Sequence, residues 1–190
     1  MVENAIAELF GLEAVNLVEP RRPIVGRYRG PKMDLSAKDG AVLGHLVERG
    51  KHAYAYTLQD LAAQPLLRID RISKASAARL VFRLADGQDR PLGEVRTRGS
   101  VVRTRQLEVR AEAGTLRLTR NAPMRGTWLV RDDADDQLGL IRASAARSLA
   151  DIQRYAVELD QRTGPEQRRL ILAAVVCLQV VRRWSGNGDQ

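Results

Sequence analysis

Short runs in which apolar and polar side chains alternate fill most of the chain from Ile24 to Leu159, and turn-forming residues separate them. Alternation with a period of two puts successive side chains on opposite faces of an extended strand, so each run reads as a half-buried strand. Arg79–Ala85, Gln106–Ala111, Leu116–Arg120, Thr127–Arg131 and Tyr155–Leu159 carry the pattern most cleanly. Ile24–Tyr28, Met33–Ser36, Leu43–Val47, Ala53–Thr57, Leu66–Ile69, Leu92–Thr97 and Leu138–Ala143 carry it more weakly. Together they predict about twelve strands, spaced as in an antiparallel sheet or barrel. Residues 1–22, ending in the breaker cluster Glu19-Pro20-Arg21-Arg22-Pro23, read as an N-terminal extension. Residues 23–185 then form one domain, and 186–190 a tail.

A repeat runs through the strands. Leu-Gly occurs three times, as Leu43-Gly44-His45-Leu46, Leu92-Gly93-Glu94-Val95 and Leu138-Gly139-Leu140-Ile141. Each follows an acidic turn: Lys38-Asp39-Gly40, Ala85-Asp86-Gly87 and Asp132–Asp136. The unit is strand, Asp/Gly turn, then a strand opening with Leu-Gly. Asp-Gly supplies the positive-φ positions that join antiparallel strands, so Asp86 and Gly87 are structural candidates.

The sharpest signal lies at the C-terminal end. Pro165 and Glu166 suit the first turn of a helix, Arg182 and Arg183 its last turn, and Gly186 its stop. Leu170–Val181 reads LILAAVVCLQVV, with Gln179 its only polar residue. A helix apolar all round must be buried all round. Twelve residues span about 18 Å, well short of a hydrocarbon core of about 30 Å. The run therefore predicts a core helix over 166–183, enclosed by the strands, with Val175 and Val176 at its buried centre. Gly44, Gly93 and Gly139 share strand parity with Leu46, Val95 and Ile141, so all three are expected to face that helix, where a side chain would collide with it.

These features place the chain in a closed class: all-β with one helix, an antiparallel barrel around a buried C-terminal helix. Strand pairs marked by Ala85-Asp86-Gly87 through Leu92-Gly93-Glu94-Val95, and by Trp128-Leu129-Val130 through Leu138-Gly139-Leu140-Ile141, carry a resemblance. It continues through Tyr155-Ala156-Val157-Glu158-Leu159 and the run Arg169–Val181. In these the chain resembles the phospholipid scramblase and LURP-one-related group, which shares the tubby C-terminal-like fold, a twelve-stranded barrel threaded by its last helix. The resemblance implies a membrane-associated or ligand-binding barrel. It does not extend to calcium-activated scrambling. Asp160–Glu166 holds two acids, too few for a calcium site of six to eight oxygens, and there is no cysteine cluster for palmitoylation.

Charge sharpens the expectation about partners. The chain carries a net charge of +8. Between Arg96 and Arg131 stand nine arginines against Glu108 and Glu112, a local excess of +7. Such a block suits an anionic partner, and Arg96, Arg98, Arg103 and Arg105 are the candidate lipid-headgroup ligands. The alternative is a cytoplasmic ligand-binding or protein-interaction domain, with non-specific nucleic-acid binding as a lesser variant. Trp128 is the one aromatic residue in the block, which leaves base stacking little support.

Candidate chemistry is thin. His45, His52 and Cys177 have no metal-ligand spacing, no serine sits in a nucleophile elbow, and Gly40–Gly44 lacks the Gly-Lys-Ser/Thr of a phosphate loop. The acids of Asp132–Asp136 read as a solvated hairpin turn. The expectation is a non-enzymatic domain without cofactor or metal. A single cysteine and an unremarkable N-terminus point to the cytoplasm, with the inner membrane face as a peripheral setting.

Overall fold

The computed structural model describes residues 10–20, 32–49, 55–73, 79–98, 106–121, 124, 126–144 and 152–186. In chain order the strands are β1 (Ala14–Val18), β2 (Met33–Ala37), β3 (Val42–Arg49), β4 (Ala55–Asp60), β5 (Pro65–Arg71) and β6 (Val81–Asp86). They continue as β7 (Pro91–Arg98), β8 (Gln106–Ala111), β9 (Gly114–Arg120), β10 (Thr127–Arg131), β11 (Gln137–Ala143) and β12 (Arg154–Leu159). A helix, α1 (Pro165–Gly186), follows. Each strand pairs antiparallel with its sequence neighbours, and β1 pairs with β12 to close a twelve-stranded barrel. Closure leaves no strand edge with unpaired backbone groups.

The all-β barrel with one helix is as the hydrophobic pattern predicts, but its first strand is not. Ala14–Val18, assigned above to an extension, is β1, with Val15 and Leu17 turned into the core. Four of its five residues are apolar, which hides the alternation that identifies a strand. The barrel domain therefore begins ahead of residue 23. Ile24–Tyr28, expected to be a strand, lies outside the described residues.

All twelve residues from Leu170 to Val181 are buried, Val175 and Val176 at 0% and 1% exposure. The inward side chains of the strands join them in one continuous core. At the helix start Gln167 reaches back to accept a hydrogen bond from the Gly164 amide at 3.1 Å, half of a capping box. The Thr163 hydroxyl donates to the Leu138 carbonyl at 3.0 Å. Arg168 is buried and donates to the carbonyls of Thr163 (2.7 Å) and Gly11 (2.5 Å). The Arg169 guanidinium lies 5.0 Å from the centre of the buried Phe10 ring. These contacts anchor the helix to the chain on either side of the barrel's seam. Gln179, the polar exception in the apolar run, is matched by a buried Glu19 beyond the end of β1, its Nε2 donating to Glu19 Oε1 at 3.0 Å.

The Leu-Gly repeat proves to be a set of β-bulges. Leu35 pairs with Gly44 but Ser36 with Val42, so Leu43 is the extra residue. Leu92 and Leu138 are extra in the same way, beside Gly93 and Gly139. A fourth bulge, at Leu66, has Leu67 where the others have glycine. A bulge turns two consecutive residues toward the same side, here the core. The inward parity inferred for the glycines holds, but the obstacle is not the helix. A Cβ on Gly44 would lie 2.3 Å from the Gln59 carbonyl oxygen, and one on Gly93 2.2 Å from that of Arg110. On Gly139 it would meet the Glu158 oxygen at 2.7 Å. The neighbouring strand's backbone is what excludes a side chain. Gly87 is excluded likewise, by the Pro65 oxygen at 1.9 Å. The positive φ of its turn belongs to Asp89 rather than to Gly87. Asp86 holds that turn by accepting from the amides of Gln88 and Arg90, both at 2.9 Å.

Gly93 combines the carbonyl contact with a φ of 150°, so Gly93→Ala should cost about 1–3 kcal/mol. At this chain length that lowers the melting temperature by roughly 2–4 °C per kcal/mol. Gly11→Ala, with nothing within 4 Å of its Cβ, should melt with the parent. Equal melting of both variants with the parent would contradict the role assigned to the bulge glycine.

Candidate functional site

The barrel's inside is apolar and its outer wall charged, the inverse of a membrane-spanning barrel. No helix of the described residues is long and apolar enough to cross a membrane. Because α1 fills the interior, binding chemistry has to be sought on the wall and the two ends.

On the wall, outward parity brings the arginines of the basic block together. Arg96 pairs across the strands with Glu108, and Glu108 with Arg117. Arg98 and Arg110 both bind the Glu108 carboxylate, Arg98 through its Nε at 2.7 Å. Arg96 is held by Glu94 at 2.6 Å. Arg131 contacts Asp135 at 2.9 Å, and Arg117 reaches the same carboxylate at 3.5 Å. Burial by itself raises the Glu108 carboxyl, but the hydrogen bonds and positive charge of Arg98 and Arg110 outweigh it and hold the group below its ordinary value. Five arginines of the block are thus engaged by acids of the same wall. Of the four candidate headgroup ligands, Arg96 and Arg98 are exposed but acid-bound, and Arg103 and Arg105 lie outside the described residues. Trp128 faces inward and is buried, so it presents no stacking surface.

The two ends differ sharply. Connections 38–41, 61–64, 87–90, 112–113, 132–136 and 160–164 all emerge at one end, the turn end. They hold eight acidic and three basic residues. The other strand ends lie at the opposite, loop end, and the segments joining them, 19–32, 50–54, 72–80, 99–105, 121–126 and 144–153, fall largely outside the described residues. In sequence they hold twelve basic and two acidic residues. At the turn end Asp60 and Asp86 close β4 and β6, and Arg131 closes β10. Arg49, Arg71, Arg98 and Arg120 close β3, β5, β7 and β9, and Arg154 opens β12, all at the loop end. Arg79, Arg120 and Arg154 are exposed and have no ion-pair partner among the described residues. Sequence reading located the excess along the chain, at Arg96–Arg131. It could not see that alternate connections share an end, which only the closed up-and-down order establishes.

Other candidates resolve into structure. The Asp132–Asp136 acids form a turn in which Asp132 accepts from the Asp136 amide at 2.9 Å and Asp133 from the Thr115 amide at 2.8 Å. Next to it a cleft of about 220 Å³ is lined by Leu116, Leu170, Asp132 and Asp133 among others. That is smaller than the roughly 300 Å³ at which small-molecule sites begin. His45 faces outward, 2.8 Å from Asp34; His52 lies outside the described residues. Cys177 is buried, and burial pushes its thiol well above the ordinary value. Among the described residues no three of His, Cys, Asp and Glu converge as metal ligands would. No protein family, curated protein or solved structure matches the chain.

Glu108 is ionised more readily when folded, so its stabilising contribution is complete above its ordinary value of 4.5 and is lost as pH falls through the lower folded value. Both arginines are about half exposed, so Glu108→Gln should cost about 1 kcal/mol at neutral pH. The gap between parent and variant should close on acidification below 4.5. Urea melts at pH 7 and pH 3 measure this; a gap that persists unchanged at the lower pH would contradict it.

Proposed function

We propose that this protein is a non-enzymatic barrel that associates peripherally with anionic phospholipid, in keeping with its resemblance to the scramblase-like group. One observation carries the proposal: Arg79, Arg120 and Arg154 stand exposed at the loop end without an ion-pair partner among the described residues, while the wall's Arg96, Arg98 and Arg131 are held by Glu94, Glu108 and Asp135. Uncompensated basic residues near an anionic surface each contribute about 1 kcal/mol. A helix-filled interior favours a surface partner over an enclosed ligand. Arg96 and Arg98 are held by Glu94 and Glu108, so the described headgroup candidates are Arg79, Arg120 and Arg154, while Arg103 and Arg105 lie outside the described residues. The setting that fits this role is the cytoplasm, at the inner face of a membrane. Base-stacking recognition of nucleic acid has little behind it, because Trp128 is buried.

Flotation with vesicles tests the proposal. The protein should rise with phosphatidylcholine vesicles containing about 30% phosphatidylserine and stay behind with phosphatidylcholine alone, and added salt should release it. Equal recovery with both vesicles would remove the electrostatic basis of the reading.

A further inference from the structure

We infer that the surface facing anionic lipid is the outer wall of β6, β7, β8 and β9, with the wall of β12, β1 and β2 turned away. The inference rests on the anionic-lipid reading and names the surface that reading requires. Strand parity places Arg83, Arg96, Arg98, Arg110 and Arg117 on the outside of these four strands, against Glu94 and Glu108. Arg79, exposed at the loop-end edge of β6, adds a sixth guanidinium, with no ion-pair partner among the described residues. Six bases against two acids leave +4. The acids that hold these arginines do not neutralise them, because three carboxylates are each shared by two guanidiniums. Glu108 serves Arg98 and Arg110, Asp70 serves Arg49 and Arg83, and Asp135 serves Arg117 and Arg131. Arg96 has Glu94 to itself. With these flanking partners included, eight arginines stand against four acids, again +4. A guanidinium carries five donors, more than a shared carboxylate can accept, so an arriving phosphate need not displace the acid. The other side of the ring is balanced. On β11, β12, β1 and β2 the outward charges are Arg142 and Arg154 against Glu158 and Asp34, a sum of zero. Strands about 4.8 Å apart make a twelve-membered ring at least about 18 Å across, about twice the screening length of about 8 Å at physiological salt. β12 stands across the ring from β6, so Arg154 is screened from a surface that Arg79 meets. The outer wall of a closed barrel is convex, which suits a sheet of headgroups better than a rod-like polyanion seated in a groove.

Two charge-matched pairs of substitutions separate this wall from the rest of the surface. Arg79→Gln with Arg96→Gln alters the basic wall, and Arg142→Gln with Arg154→Gln alters the balanced one. Each pair removes one arginine held by an acid and one without an ion-pair partner among the described residues. Binding to phosphatidylcholine vesicles containing about 30% phosphatidylserine should weaken about tenfold or more for the first pair and about twofold or less for the second. Equal losses, or a larger loss for the second pair, would overturn the inference. Retention on a sulfonate cation-exchange resin gives a readout that does not depend on lipid. The first pair should elute at lower salt than the second, and coincident elution would count against the β6–β9 wall as the anion-facing surface. A parent protein that binds neither this vesicle nor phosphatidylcholine alone overturns the lipid reading, while the resin still decides which wall faces anions. Tighter binding of the parent to duplex DNA than to the vesicles at physiological salt would replace the lipid with a nucleic acid and overturn the inference. Thermal melts of both pairs confirm that they fold, and the single substitutions Arg79→Gln and Arg154→Gln provide the same comparison where a pair does not.

Discussion

A helix with no polar face cannot rest against one side of a protein and leave the other in water. Leu170–Val181 therefore requires neighbours on every side, and a sheet closed on itself supplies them. Closure in turn dictates much else. It requires β1 to bridge β12 and β2, which draws Val15, Leu17 and the buried Phe10 into the domain. It also requires partners for the few polar groups that enter with the helix. Arg168 meets backbone carbonyls near the helix start, and Gln179 meets Glu19 near the opposite end. An unpaired charge or amide in these places would cost several kcal/mol.

The up-and-down order has a second consequence. Because every strand reverses direction, alternate connections join opposite ends, and the two sets differ in length and in the charge of their sequences. At the turn end, tight turns are organised by Asp60, Asp86 and Asp132, each accepting backbone amides, with the positive-φ positions Ala63, Asp89 and Asp135 following. Such turns select aspartate for its ability to accept local amide hydrogen bonds. Acidity at this end is thus partly a by-product of turn chemistry. The segments joining the opposite strand ends are longer, and in sequence they hold twelve basic residues against two acidic ones. One topology accordingly produces both the fold's closure and a molecule polarised along its axis.

Much of this was legible in the residues. Alternation located eleven of the strands, and the all-round apolar run located the helix within a few residues of its ends. Three features were not legible, each for a physical reason. Alternation is weak in Ala14–Val18, where Asn16 is the one polar outward residue between the apolar Ala14 and Val18. The Leu-Gly marks announced a repeat, but a bulge is a relation between two strands, and its fourth member, Leu66-Leu67, lacks the glycine. The glycines' true neighbours, the carbonyls of Gln59, Arg110 and Glu158, likewise depend on register. For the candidate site, the block Arg96–Arg131 was plain in the sequence. That Glu108 neutralises two of its arginines follows only from strand pairing.

If the helix is the core around which the barrel closes, it cannot unfold while the barrel stays intact. Native-state hydrogen exchange is the most direct test. Amides of residues 172–180 should exchange only through global opening, with the same free energy and denaturant dependence as those of the central barrel strands. Exchange of the helix at a distinctly lower free energy, while the strands remain protected, would show that the barrel stands without it and would contradict the account.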